Sequence, residues 1–435
     1  MLGKIKKRLS TCQEIAGFRI IEHKVEAGEL FFVKKELDMN RVKAVHHFTV
    51  TVYKDFSEHN IKYRGSATAN LHPTMNEEEI KQVIADLAFA AGFVKNQYYP
   101  LPQPAATDGQ PPLSNFASHP ISHWLPKITE AVFKNDIQSQ GGLNSCELFL
   151  DKVYTRVINS EGIDSSFEGY KGQLEFITAC QGKSEEIELY KNLLFAGYDA
   201  QAIAGEVAEM LALCKERACA CPTPAVKKHT VLLTGEPVEE FLQYYTAKAS
   251  AHSVYNKLSE AKLGENIQGL NVKGDLINLL LDPTLENSTD SAPFDEDGFP
   301  LKPAVLYENG ILKKYWGDVR HCHYLNVEPT GMIHNIVVQG GKKSITAMKQ
   351  APYFELVAFS DFQMDSLTGD FAGEIRLGWY FDGTKTIPVT GGSISGNIKE
   401  MQEEMYLSSE LQKNNNYLIP RTIQLFNVAI AGAGN

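Results

Sequence analysis

One stretch of the chain decides its fold: VLLTGEPVEEFLQYYTAK, residues 231–248. Its first three residues form a short apolar run, which is typical of a buried strand. Gly235 then indicates a turn, and Pro237 suits the first position of a helix, where its missing N–H costs nothing. Apolar residues follow at helical spacing, at Val238, Phe241, Leu242 and Tyr245. The pattern predicts a strand, a tight turn and an amphipathic helix, an arrangement suited to carrying catalytic residues.

After this stretch the sequence predicts mainly antiparallel β structure. Asn309-Gly310 and Asp382-Gly383 each stand between two apolar runs, and such a pair is the strongest short-range signal for a β-hairpin. Residues 354–360 and 419–430 are further strand candidates.

The half before the stretch mixes strands and helices. Asn76 is a good helix cap, and three glutamates follow it in the first turn, where the helix dipole favours anions. A second helix is predicted over residues 200–220, and Pro222 and Pro224 end it. Strands are predicted over residues 30–37, 45–56, 146–159 and 170–180. We therefore place a domain boundary at the proline pair and expect domains at residues 1–224 and 225–435.

Composition narrows the classes of function. A chain of 435 residues is too long for one average core, so two domains are the natural expectation. The net charge of −11 argues against direct nucleic-acid binding, which usually needs a basic face. Seven cysteines form no even framework, and no window is apolar enough for a membrane-spanning helix. We expect a cytoplasmic protein that contacts neither membrane nor nucleic acid.

The residues alone give no complete catalytic group. His119 and His123 have a spacing that can bind zinc, but Pro120 and Pro126 argue against a regular helix there. If His321-Cys-His323 lies on a strand, its two imidazoles share a face, and a third metal ligand is not indicated. From the residues alone the chain is a two-domain α+β protein.

Three segments of the second half resemble blocks of the TldD/PmbA family, whose members have long been labelled modulators of DNA gyrase. The segments are FDEDGFPLKPAVLYENGILK at residues 294–313, MDSLTGDF at residues 364–371 and DGTKTIPVTGGSISGN at residues 382–397. They are similar in order and spacing to the family's D-E-G-x-P…E-N-G, D-x-x-T-G-D-F and P-V-x-G-x-T-I-S-G-N blocks. The resemblance covers roughly residues 225–435.

The resemblance implies an α+β fold, with an N-terminal α/β-layered domain and a C-terminal domain built on a curved, largely antiparallel β-sheet. It also implies a cytoplasmic heterodimeric zinc metallopeptidase that processes unfolded or precursor peptides. In that enzyme a TldD-type subunit carries H-E-x-x-x-H on a helix, with a cysteine ligand near the C-terminus. The TldE-type subunit, also called PmbA, is its partner.

The zinc helix of the family aligns with the opening stretch, and its ligands are missing there. Gln243 and Tyr244 stand where His-Glu is expected, and Lys248 stands where the second His is expected. A lysine offers a cation where a metal needs a lone pair, and a tyrosine lacks the carboxylate that activates water. The last cysteine is Cys322, so the C-terminal thiolate is absent as well. The sequence thus departs from the TldD pattern and agrees with the TldE pattern.

We therefore expect a non-catalytic TldE/PmbA-like subunit with no cofactor of its own, paired with a zinc-bearing TldD-like subunit. Candidates for contact with the peptide are Thr330, Gly331, Thr368, Gly369 and Asp370. Two alternatives stay open. One is a metallopeptidase in its own right with displaced ligands, for which the candidates are His252, His321 and His323. The other is a non-enzymatic, peptide-binding homodimer.

Overall fold

The computed structural model of the chain describes residues 1–106, 111–136, 141–183 and 185–433. Its first half contains six long strands, namely β1 Gly17–Val33, β2 Glu36–Glu58, β3 Ile61–Leu71, β4 Gly142–Asn159, β5 Asp164–Gln181 and β6 Glu186–Phe195. The helices of this half are α1 Leu2–Thr11, α2 Glu77–Ala91, α3 Ile121–Phe133 and α4 Ala200–Cys219, with a 3-10 turn at Asn115–Ser118.

Within the described residues the six strands form one antiparallel sheet in the order β3-β2-β1-β4-β5-β6. Alternate residues of a strand face opposite sides of its sheet. The even-numbered residues Ile20 and Phe32 of β1 are buried against the helices, α1 and α2 at one end of the sheet and α3 and α4 at the other. The odd-numbered Arg19 and His23 lie on the opposite face, which the helices leave open. This half therefore has one helix layer packed on its sheet, and the other sheet face carries no helix of this half.

The second half is built from shorter strands. They are β7 Cys221–Pro222, β8 Val226–Thr234, β9 Leu279–Leu281, β10 Ala304–Glu308, β11 Ile311–Leu312, β12 Ile336–Val338, β13 Tyr353–Met364, β14 Asp370–Phe381, β15 Thr386–Thr390, β16 Ser393–Asn397, β17 Tyr406–Leu407, β18 Leu411–Asn414, β19 Tyr417–Pro420 and β20 Thr422–Ala431. The helices are α5 Glu236–Lys248, α6 Ala251–Tyr255, α7 Val319–Leu325, α8 Ile345–Met348 and α9 Ile398–Met401, with a 3-10 turn at Gln402–Glu404.

The strands of this half form two sheets, and one of them curls until it closes on itself. The closed sheet runs β13-β8-β20-β16-β14, and β14 pairs back to β13. The other described sheet has the order β11-β10-β9-β12-β19-β18. Most pairings are antiparallel, and α5 buries Phe241 and Tyr245 in the core that both sheets share. The predicted fold class is confirmed.

The stretch that opens the second half folds as predicted. Gly235 lies between β8 and α5 with φ of +80°, a conformation that glycine adopts without steric cost. The predicted apolar stripe of α5 is fully buried. Asn309-Gly310 and Asp382-Gly383 lie in the β10–β11 and β14–β15 connections, as predicted.

Three local predictions were wrong. The strand predicted over residues 30–37 is broken by a turn at Lys34, whose φ is +55°, so β1 and β2 form a long hairpin. His321-Cys-His323 lies on α7 and not on a strand, because the Asp318 carboxylate caps that helix by accepting the His321 N–H at 2.7 Å. The prolines around His123 permit the regular helix α3, because Pro120 precedes its first residue and Trp124 and Ile128 bury its apolar face.

Candidate functional site

Three positions on α5, which the resemblance aligns with two histidine ligands and a glutamate base, have structural roles in this chain. Gln243 donates its side-chain amide to the Tyr417 hydroxyl at 3.0 Å, which ties α5 to β19. Tyr244 is only 2% exposed, and burial raises the pKa of its hydroxyl to about 12. A hydroxyl in that state stays protonated at neutral pH and offers no general base.

Lys248 ties α5 to the TGD block. Its side chain is buried, and its Nζ donates to the Leu367 carbonyl oxygen at 3.1 Å. Burial lowers the lysine's pKa, and the nearby Lys399 lowers it further. A nitrogen that donates to a carbonyl oxygen has no lone pair directed at a metal. Gln243, Tyr244 and Lys248 therefore do not fit the zinc site that the family's catalytic helix implies.

The second and third family blocks meet beside Leu367. Asn397 donates its side-chain amide to the Asp370 carboxylate at 2.7 Å. Thr368 donates its hydroxyl to Asp365 at 2.9 Å, and Gly369 has φ of +89° in the turn that follows. A cavity of about 580 Å³, here called the Asp370 pocket, opens at this junction and is lined by Asp365, Asp370, Asn397 and Glu400 among others.

Thr330 and Gly331 do not line the Asp370 pocket. The Thr330 hydroxyl accepts the Gly317 N–H at 3.0 Å and is buried. A side chain at Gly331 would come within 2.4 Å of Leu301, so the turn needs glycine there. The exposed neighbour Met332 lines a second cavity of about 1840 Å³. The structure thus brings together Thr368, Gly369 and Asp370 but places Thr330 and Gly331 behind the wall of another cavity.

This larger cavity, here called the sheet groove, lies between the open face of the N-terminal sheet and the loop of residues 285–297. The first family block supplies Asp295 to its wall. That carboxylate accepts three backbone N–H groups, from residues 297, 299 and 332, at 2.9–3.1 Å. Burial nevertheless raises its pKa to about 7, and the neighbouring carboxylate of Asp297 adds to the shift.

An ion pair joins the two walls of the sheet groove. Arg19 on β1 donates to the Asp297 carboxylate, and both side chains are mostly buried. Asp295 and Asp297 lie in the first family block and Asn397 ends the third, but the sequence alone predicts no role for them, and it does not indicate Arg19. The block itself was the available signal for the two aspartates; nothing local marked Arg19.

The displaced-ligand candidates are only partly brought together. The rings of His252 and His321 lie 4.8 Å apart, and His321 Nδ1 lies 2.9 Å from the Asp318 carboxylate. His323 is two residues farther along α7, about 200° around the helix axis, and its ring is exposed. Within the described ranges, no group of three or more His, Cys, Asp or Glu residues has an arrangement that holds a metal ion.

Comparison with known proteins agrees with this architecture. The family model of the PmbA/TldA metallopeptidase C-terminal domain matches residues 226–432. An uncharacterized protein of Methanocaldococcus jannaschii is 26% identical over 67% of this chain and 70% of its own length. A metalloprotease TldD homolog of Buchnera aphidicola is 26% identical over 32% of each chain. Helices of membrane-spanning length and hydropathy are absent from the part of the chain that the structure describes.

Solved structures share the whole fold. TldE from Thermococcus kodakarensis superposes with a TM-score of 0.79 at 18% identity, over 99% of this chain and 100% of that one. A proposed DNA gyrase modulator from Thermotoga maritima gives 0.78 at 16% identity, with the same coverage. These likenesses concern the fold, whereas the domain match gives the class, which is metallopeptidase-like. Residues 226–432 therefore form a domain of the TldD/PmbA family, and the chain as a whole has the fold of TldE.

Proposed function

We propose that this chain is the non-catalytic, TldE/PmbA-like subunit of a cytoplasmic two-subunit zinc metallopeptidase that acts on unfolded or precursor peptides. Its partner is a TldD-like chain that carries the zinc ion. In this assembly the chain binds the peptide and forms part of the chamber that encloses it. The peptide bond is cleaved at the zinc ion of the partner.

The observation that carries the proposal is the state of α5. The helix keeps the buried face that fixes it in the core, but Gln243, Tyr244 and Lys248 replace the family's ligands and base. Gln243 and Lys248 make hydrogen bonds to other parts of the domain. An active zinc helix needs these positions for ligands and water, so the contacts support a structural role for α5 here.

The test begins with the purified chain alone. We expect substoichiometric zinc and no cleavage of an unfolded peptide substrate. Adding a TldD-like chain should produce cleavage faster than that chain achieves alone. The decisive control is a TldD-like chain whose H-E-x-x-x-H glutamate is changed to glutamine, which should abolish cleavage by the mixture.

A matched variant of this chain sharpens the assignment. Tyr244→Phe removes the hydroxyl from the position of the family's general base and keeps the ring that packs in the core, so the assembly's activity should not change. Stoichiometric zinc together with cleavage by the isolated chain would overturn the proposal. Loss of that zinc in a His252→Ala, His321→Ala double variant would then favour displaced ligands.

A further inference from the structure

We infer that the sheet groove takes an extended peptide segment of net positive charge. The inference rests on the proposed function and deepens it, because it names the class of peptide that this subunit holds. It concerns a cavity separate from α5 and from the Asp370 pocket.

The size of the groove favours a peptide over a small molecule. Its volume of about 1840 Å³ exceeds the roughly 300–1,000 Å³ of typical small-molecule sites. Its floor is the helix-free face of β1, β4 and β5, where Val25 and Val153 alternate with polar residues. Met332 adds exposed apolar surface from the opposite wall, and Phe294 of that wall packs on Ile21 and Val157 of the sheet. A long floor with regular alternation suits an extended chain, whose side chains also alternate.

The charged residues that line the groove favour a peptide of net positive charge. Among its described lining residues, nine are Asp or Glu and three are Arg or Lys. Three of the carboxylates are in ion pairs within the chain, namely Asp297 with Arg19, Asp318 with His321 and Glu168 with Lys152. Two others accept backbone N–H groups, Asp295 in its own loop and Asp199 at the start of α4. Four further carboxylates, Asp151, Glu286, Asp290 and Glu296, line the groove together with two lysines, Lys171 and Lys413. Low-dielectric walls focus the field of such an excess into the cleft, which attracts cations.

Two carboxylates are suited to testing this. Asp290 and Glu296 stand on the loop that forms the second wall, and within the described residues neither is in an ion pair or accepts a side-chain hydrogen bond. The change Asp290→Asn with Glu296→Gln therefore removes two charges from the groove and keeps the shapes. A matched control is Glu78→Gln with Asp86→Asn on α2, which packs on the other face of the sheet.

The experiment measures fluorescence anisotropy with labelled peptides of equal length that carry lysine, glutamate or serine at the same positions. At low ionic strength and pH 7.5, the isolated chain should bind the lysine peptide at least about tenfold more tightly than the glutamate peptide. Added salt should narrow this difference. The groove variant should weaken lysine-peptide binding by about tenfold, and the α2 variant should leave it near wild type. A reversal variant, Asp290→Lys with Glu296→Lys, should shift preference toward the glutamate peptide.

Equal affinity for all three peptides, or equal loss in the groove and α2 variants, would overturn the inference. The latter result would mean that the peptide responds only to the net charge of the chain. Neither result would contradict the proposed function, which is tested by zinc content and by cleavage in the presence of the partner. Conversely, zinc-dependent cleavage by the isolated chain would overturn the proposed function and leave the peptide preference measurable.

Discussion

Glu239 lies on α5, between Val238 and Phe241 of its buried face. The protonation of its carboxylate should make the free energy of unfolding depend on pH. Its carboxylate accepts the Asn414 side-chain amide at 2.9 Å. Burial raises its pKa from 4.5 to about 7, and the neighbouring Glu236 carboxylate adds to the shift. The folded chain therefore holds a proton here that the unfolded chain releases above pH 4.5. Since the folded state binds more protons, this group lowers stability as the pH rises from about 4.5 to 7.

The change Glu239→Gln tests this reasoning. Glutamine keeps an oxygen that accepts the Asn414 amide and removes the buried charge. A shift of two to three units corresponds to about 3 kcal/mol, so the free energy of unfolding should rise by up to about 3 kcal/mol at pH 8. Near pH 4.5 the Glu239 carboxyl is protonated in the folded chain and about half protonated in the unfolded chain, so the gain should almost vanish.

Denaturant unfolding followed by tryptophan fluorescence at the two pH values measures the effect. Glu240→Gln is the matched control, because it removes a neighbouring carboxylate from the same helix, and its effect should not follow this pH dependence. An equal gain from Glu239→Gln at both pH values, or a loss at pH 8, would refute the account.

Three further changes have simple expected outcomes. Phe241→Ala removes a fully buried ring from the core and should lower the free energy of unfolding by about 3–5 kcal/mol in denaturant titration. Asn76→Ala removes the cap of α2 and should cost about 1 kcal/mol in the same assay. Lys248→His supplies one imidazole while Gln243 and Tyr244 remain, so metal analysis should still find substoichiometric zinc; a stoichiometric ion would contradict our account of α5.

Helices whose first residues include a cap or a turn signal could be predicted from the sequence. Gly235 and Pro237 fixed the start of α5, and Asn76 fixed the start of α2, because caps and turns depend on residues a few positions apart. The same kind of signal was present for α7. Asp318 precedes its first helical residue and caps it, whereas the alternation of His321 and His323 favours a strand.

The sheet groove could not be predicted in this way. Its walls meet through Arg19 and Asp297, which are 278 residues apart in the chain. No periodicity links such positions, and a bare sheet face has the same alternating pattern as a covered one. The Asp370 pocket was partly predictable, since Thr368, Gly369 and Asp370 were candidates, but the contact of Asn397 with Asp370 depends on the pairing of β14 with β16.

The proposed non-catalytic role predicts that α5 cannot take up zinc ligands without a loss of stability, because the three positions already have structural contacts. A helix that had merely lost its ligands would leave these positions free to accept them again. Here Gln243 holds β19 and Lys248 holds the Leu367 carbonyl, so replacing either with histidine breaks a hydrogen bond. Tyr244 fills core space that a glutamate would enter only at the cost of burying a charge. Introducing H-E-x-x-x-H would therefore lower the stability of the metal-free domain. We expect this of a subunit that has a structural role and whose partner carries out the catalysis.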